Sequence, residues 1–173
     1  MTRGHGSLLV ATDRGIRVAE LALSAAPRPT PTWWAHDCAC AWTAAWLTVR
    51  RADWRGPRQV LSDPGLTGKL EWQTRTGWRR STHRPDLTLA IPDGQVVVEV
   101  ELQRKDTRRL AAILSMYRSW MNESRIAGVV YVCGSQHLAD RVREFSLKAS
   151  LPAKATRIEL LDSIRTQTTR VAA

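Results

Sequence analysis

At 173 residues, with 43% hydrophobic and 24% charged residues, the chain has the composition of a folded domain with room for one core and an appendage. Its formal net charge of +10 calls for a polyanionic partner, of which nucleic acid is the commonest. It has no apolar run of about 18 residues, which excludes a spanning helix, and no strongly basic amphipathic helix, so a membrane partner is not expected.

Residues 1–23 read as a wing-like β-hairpin, with apolar stretches on either side of Asp13-Arg14-Gly15. The interruption by Asp13 and Arg14 does not suit a secretory signal. Residues 24–32 carry Pro27, Pro29 and Pro31 and read as a linker, so that 33–173 forms the main α/β domain. Residues 37–51 suit a helix capped by Asp37, because Cys38, Trp42, Ala45, Trp46 and Val49 recur at helical spacing. This stripe reads as core. His36, Cys38 and Cys40 look metal-like but lack a second Cys/His pair at zinc spacing, so the thiols are expected to be inert. Three cysteines make no disulfide framework, and a reducing cytoplasm is the expected compartment.

Strands are expected over 58–63 and 69–76. Arg75, Trp78, Arg79, Arg80 and Arg84 follow as a basic cluster with one aromatic. Arginine grips phosphate bidentately and an indole can stack on a base, so these are candidate nucleic-acid contacts. An ordinary solvated basic face with an exposed Trp is the alternative.

From Pro85 to Lys105 the pattern is two strands and a tight turn. Asp93-Gly94 between apolar runs is a hairpin signal. With those two as the turn, Pro92 faces Gln95, Asp86 lies opposite Glu101, and Thr88 lies opposite Glu99. Val97, Glu99, Glu101 and Gln103 share one face. Asp86, Glu99 and Glu101 then converge, and opposed like charges destabilise a sheet. A hard divalent cation, Mg²⁺ or Mn²⁺, held by Asp86, Glu99 and Glu101 would offset the repulsion. Nearby Arg and Lys would neutralise the patch as well. Arg104, Lys105, Arg108 and Arg109 leave this strand and enter the next helix, capped by Asp106 or Thr107. Arginines at a helix N-terminus oppose the macrodipole, which suggests that Arg104, Arg108 and Arg109 contact phosphate or brace the carboxylates.

Leu110, Ile113, Leu114, Tyr117, Trp120 and Met121 give that helix an apolar face. Residues 127–133 read as a buried strand, Gly134-Ser135 opens another helix, and 157–161 forms a last strand. Strands and helices in this order suit an open mixed sheet flanked by helices.

Pro85-Asp86 followed by a hairpin and Glu99-Val100-Glu101 resembles the PD-(D/E)XK nuclease superfamily, with Glu101 where the motif usually has Lys. Within it, His36, Trp54, Pro85-Asp86, Glu99/Glu101 and Tyr117 resemble the pattern of actinobacterial replication-relaxation proteins of mobile elements, over roughly residues 33–133. The resemblance implies a restriction-endonuclease-like core. It also implies an upstream winged helix, of which residues 1–23 would keep the wing. It implies a DNA-binding protein, with Asp86, Glu99 and Glu101 as metal ligands and Lys105 and Gln103 steadying the water or the phosphate. Metal-dependent DNA endonuclease, catalytically inactive DNA-binding regulator of replication or transfer, and protein-binding toxin or inhibitor all stay open. So do DNA against RNA, and a homodimer.

Overall fold

The structure is a computed structural model and describes residues 31–172. The wing-like hairpin expected over 1–23, and the segment 24–30, lie outside the described residues. The first helix, α1, spans Pro31–Val49 and so begins six residues before the expected Asp37. A two-residue strand β1, Trp54–Arg55, follows.

The strand expected over 58–63 is instead a short helix, α2, Pro57–Leu61. Pro57 occupies its first turn, where a missing N–H costs nothing and the fixed φ suits a helix. The Gly56 N–H donates to Gln59 Oε1 at 2.9 Å and closes the turn. Next come β2, Gly68–Thr74, and β3, Gly77–His83, which form a separate two-stranded antiparallel ribbon. The sequence reading missed β3, because its polar residues give no apolar alternation.

The main sheet is built from β1, β4 (Leu87–Ile91), β5 (Gly94–Glu101), β6 (Gly128–Cys133) and β7 (Thr156–Leu160), in the order β1-β4-β5-β6-β7. The first three strands are antiparallel neighbours, while β5, β6 and β7 run parallel. Helix α3, Thr107–Asn122, links β5 to β6, and α4, Gln136–Lys148, links β6 to β7. Asp106 caps α3 by accepting from the Arg108 and Arg109 N–H groups, and Ser135 caps α4. A terminal helix α5, Leu161–Ala172, was not foreseen. The chain is therefore α/β, with a mixed five-stranded sheet flanked by helices.

Two apolar layers cover the sheet. Val97, Val129 and Tyr131 pack with Leu110, Ile113, Leu114 and Tyr117 of α3 and with Val142 of α4. Val98, Val100, Val130 and Val132 pack on the opposite side with Trp46 and Leu47 of α1 and Ile164 of α5. All six residues of β6 are buried, as expected of a central strand in a parallel stack.

The β4–β5 register differs from the expected one by two residues. Ile91 pairs with Gly94 and Leu87 with Val98, so Pro92 and Asp93 make the turn. Proline suits the first central position of a tight turn and glycine the position that closes it. Gly94 takes φ +133°, which a side chain would disfavour. The direct Asp86–Glu101 and Thr88–Glu99 pairings are corrected accordingly; Thr88 pairs with Val97. A shift of two preserves the face, so Val97, Glu99 and Glu101 still point to one side.

Candidate functional site

The acidic residues gather where β5 outruns β4. Glu99–Glu101 continue beyond Leu87, the first residue of β4. Asp86 fills that place with both its backbone and its side chain. Its N–H donates to Val98 O at 3.0 Å, and its Oδ2 accepts the Val100 N–H at 2.7 Å. The carboxylate thus substitutes for a strand residue and completes the β5 ladder. The carboxyl ends of parallel strands, where ligands of open α/β sheets bind, lie at this same edge.

Each carboxylate has its own partner. Asp86 Oδ1 lies 3.3 Å from His36 Nε2 on α1. That contact raises the His36 pKa above its ordinary 6.5, against burial, which lowers it. Glu99 is 3% exposed. Its Oε1 accepts the Tyr117 hydroxyl of α3 and lies 2.8 Å from His83 Nε2 at the end of β3. Burial pushes the Glu99 carboxyl up, but the charge and hydrogen bond of His83, the charge of Lys105 and the Tyr117 hydroxyl outweigh it and hold the group below its ordinary value. Glu101 is 4% exposed, and Lys105 forms an ion pair with its Oε2. Burial raises the Glu101 carboxyl, Lys105 opposes the rise, and the charges of Glu99 and Asp86 add to it. Glu101 therefore feels the charges of the other two acids, while at least one oxygen of each acid bonds elsewhere.

Gln103 and Arg104 lie exposed in the loop between β5 and α3. The β2–β3 ribbon projects a basic surface beside the acids. Lys69, Arg75, Arg79, Arg80 and Arg84 stand there against one acid, Glu71. Alternation along the ribbon puts Lys69, Glu71, Trp78 and Arg80 on the side away from buried Leu70. Trp78 is 68% exposed. Arg80 pairs with Glu71 at 2.8 Å, and Arg84 donates to Thr67 Oγ1. Arg108 of α3 donates to Gln73 O at 2.9 Å and ties the helix N-terminus to the ribbon. Arg109 is half-buried, and its Nε has no hydrogen-bond partner.

His83 was missed as a site residue, and Cys40 was set aside as an inert thiol. His83 stood inside the basic cluster without distinction, since its partner Glu99 is far along the chain. His36 and Cys40, by contrast, are four apart on one helix, a spacing that puts both on one face. Cys40 Sγ lies 3.6 Å from His36 Nδ1. Burial raises the Cys40 thiol well above its ordinary value. Among the described residues, no helix is long and apolar enough to cross a membrane.

No protein-family model, curated protein or solved structure matches the chain.

Proposed function

We propose that this chain binds nucleic acid, DNA foremost, through the β2–β3 ribbon and the N-terminus of α3, on a sheet that resembles a restriction-endonuclease core. The observation that carries this reading is the ribbon itself. It carries Lys69, Arg75, Arg79 and Arg80, with Arg84 just past its end, and an exposed indole; His83 joins it to the acidic strand and Arg108 to α3. Arginine on a two-stranded ribbon suits phosphate, and Trp78 suits base stacking. The resemblance to PD-(D/E)XK proteins is supported by an antiparallel hairpin carrying Pro85-Asp86 and Glu99-x-Glu101, followed by a helix and a parallel strand.

The test is DNA binding measured as a function of salt. On a duplex, log K falls by about 0.9 per phosphate neutralised for each tenfold rise in salt. Arg79→Ala with Arg80→Ala should flatten that slope. Absence of binding at low salt would remove nucleic acid as the partner.

A second reading is metal-dependent cleavage at the strand end that carries Asp86, Glu99 and Glu101, with the mobile element implied by the resemblance alone. Mg²⁺ needs near-octahedral oxygen ligands at about 2.0–2.1 Å. That demand is not met as the side chains stand: one oxygen each of Asp86, Glu99 and Glu101 is engaged, by His36, by His83 and Tyr117, and by Lys105, and among the described residues the three acids do not bring their ligand atoms together as a metal-binding group. Binding without turnover is therefore the better-supported reading. Supercoiled DNA incubated with Mg²⁺ or Mn²⁺ separates the two. Cleavage lost in both Asp86→Asn and Glu99→Gln would establish the enzyme, and intact DNA the binder.

A further inference from the structure

We propose that His36, Cys40 and Asp86 form a binding site for a borderline-soft transition metal ion of the zinc class, distinct in chemistry from any Mg²⁺ site. One ligand atom from each residue can be chosen so that all three lie within 4.8 Å of one another. Two approaches are shorter still but use opposite edges of the ring, 3.6 Å from Cys40 Sγ to His36 Nδ1 and 3.3 Å from Asp86 Oδ1 to His36 Nε2, so only one of them can count toward a single ion. Tetrahedral zinc, with bonds of about 2.0–2.3 Å, sets its ligand atoms about 3.5 Å apart. To close on an ion, the imidazole must turn one nitrogen toward both Cys40 Sγ and an Asp86 oxygen, and the three ligand atoms must draw in from within 4.8 Å to about 3.5 Å.

The donor set selects the metal. Thiolate and imidazole are poor ligands for Mg²⁺ and good ones for Zn²⁺ or Co²⁺. The scaffold is rigid on both sides. His36 and Cys40 are one turn apart on α1, so helix geometry alone keeps them on one face. The carboxylate of Asp86 is anchored through its other oxygen, which accepts the Val100 N–H at 2.7 Å, the kind of outer hydrogen bond that orients metal ligands. The Trp33 ring stands edge-on to His36, with centroids 6.2 Å apart, and limits where the imidazole can go.

The site has a closed side and an open one. Cys40 is 6% exposed, whereas the His36 and Asp86 side chains are 28% and 21% exposed. Three protein donors with solvent on one side leave a fourth position for water or a phosphate oxygen, the arrangement of zinc sites that keep an open position. Asp86 comes from a segment far from His36 and Cys40 in sequence, which is why the metal-like His36 to Cys40 stretch lacked a complete ligand set when read alone.

Untagged, reduced protein titrated with Co²⁺ tests this without nucleic acid, so its outcome is independent of the DNA-binding reading. One Co²⁺ per chain should bind with a thiolate-to-metal charge-transfer band in the near ultraviolet and with visible bands of tetrahedral intensity. Zn²⁺ should abolish the bands and excess Mg²⁺ should not. Cys40→Ser should lose the charge-transfer band, while Cys38→Ser and Cys133→Ser keep it. His36→Gln and Asp86→Asn should each weaken binding at least about tenfold, since even outer partners of metal ligands cost about 10–100-fold. Should Cys40→Ser fail to fold, the native chain still answers: Zn²⁺ should protect Cys40 from alkylation, mapped by mass spectrometry. A missing band, a band that survives Cys40→Ser, displacement by Mg²⁺, or unaltered Cys40 alkylation with Zn²⁺ would each overturn the site.

Discussion

His83 Nε2 lies 2.8 Å from Glu99 Oε1, joining the end of the basic ribbon to the central acidic strand. Both side chains are nearly sealed, at 9% and 3% exposure, and Tyr117 donates to the same oxygen. Removing the hydrogen-bond partner that His83 gives the buried Glu99 carboxylate leaves that group under-satisfied, at a cost of about 3 kcal/mol, the upper end for a buried polar group. His83→Ala should therefore lose about that much stability in denaturant unfolding. Tyr117→Phe should lose no more, about 1–3 kcal/mol, since one hydrogen bond to Glu99 disappears while His83 remains. The two losses should not add, because the groups share one acceptor. The sign of the pH dependence follows from the depressed Glu99 carboxyl. Its contribution is present above its ordinary value of 4.5 and is lost as pH falls through its lower folded value. A fully stable His83→Ala variant would show that the ribbon is not held this way.

The His36 imidazole should titrate above 6.5 when followed by NMR, because its hydrogen bond to Asp86 favours the charged ring. Asp86→Asn should bring the midpoint down, since the remaining influence of burial acts in the opposite direction. A raised folded value means that the contact stabilises the fold fully below pH 6.5, and that this contribution disappears as pH rises through the folded value. An unshifted midpoint in Asp86→Asn would place the partner of His36 elsewhere.

The acidic strand was legible because alternation survives errors of register. Taking Asp93-Gly94 as the turn displaced the pairing by two residues, yet Glu99 and Glu101 kept their shared face. Pro92 decided the true turn, and a proline next to an Asp-Gly pair outweighs the pair. The strand assigned to 58–63 failed because the adjacent Val60 and Leu61 do not distinguish a short strand from a short helix, while Pro57 and the Gln59 cap favour a helical turn. β3 was invisible because it is nearly all polar, and its pairing with β2 rather than an apolar pattern defines it. Lys105 beside Glu101 was within reach of the sequence, but the partners of Glu99 and Asp86 were not. Those partners, His83, Tyr117 and His36, reach Glu99 and Asp86 from three separate elements.

Trp78 and Glu71 provide a test of the ribbon that leaves the fold alone, since both are exposed. Stacking of a base on an aromatic ring contributes about 1–3 kcal/mol. Trp78→Ala should weaken single-stranded DNA binding by that amount, with no change in salt slope, because no phosphate contact is lost. Glu71→Gln should act in the opposite sense. It frees Arg80 from its 2.8 Å pair and removes a negative charge from the surface, so affinity should rise and the slope should steepen. Fluorescence anisotropy across a salt series measures both. Unchanged affinity in Trp78→Ala would confine the ribbon to phosphate contact.

Glu101 and Lys105 provide the last test, because the motif that this strand resembles usually has Lys in the position of Glu101. Here the ammonium comes from Lys105 instead and pairs with the acid, whose side chain is 5% exposed against 21% for the lysine. Glu101→Lys alone would set two cations together at a nearly sealed position. It should destabilise the fold by several kcal/mol, in line with the cost of leaving a buried charge unpaired. Lys105→Glu alone should do the same with two acids, and should be the worse of the two, because Asp86 and Glu99 already raise the Glu101 carboxyl. The double variant Glu101→Lys with Lys105→Glu restores one charge of each sign and should recover much of the loss, giving a favourable coupling energy in a double-mutant cycle. Thermal melts of the four proteins at one pH measure this. Additive losses would show that the two side chains do not form a pair in solution. A Glu101→Lys variant as stable as the native chain would show that the site takes a lysine there without rearrangement.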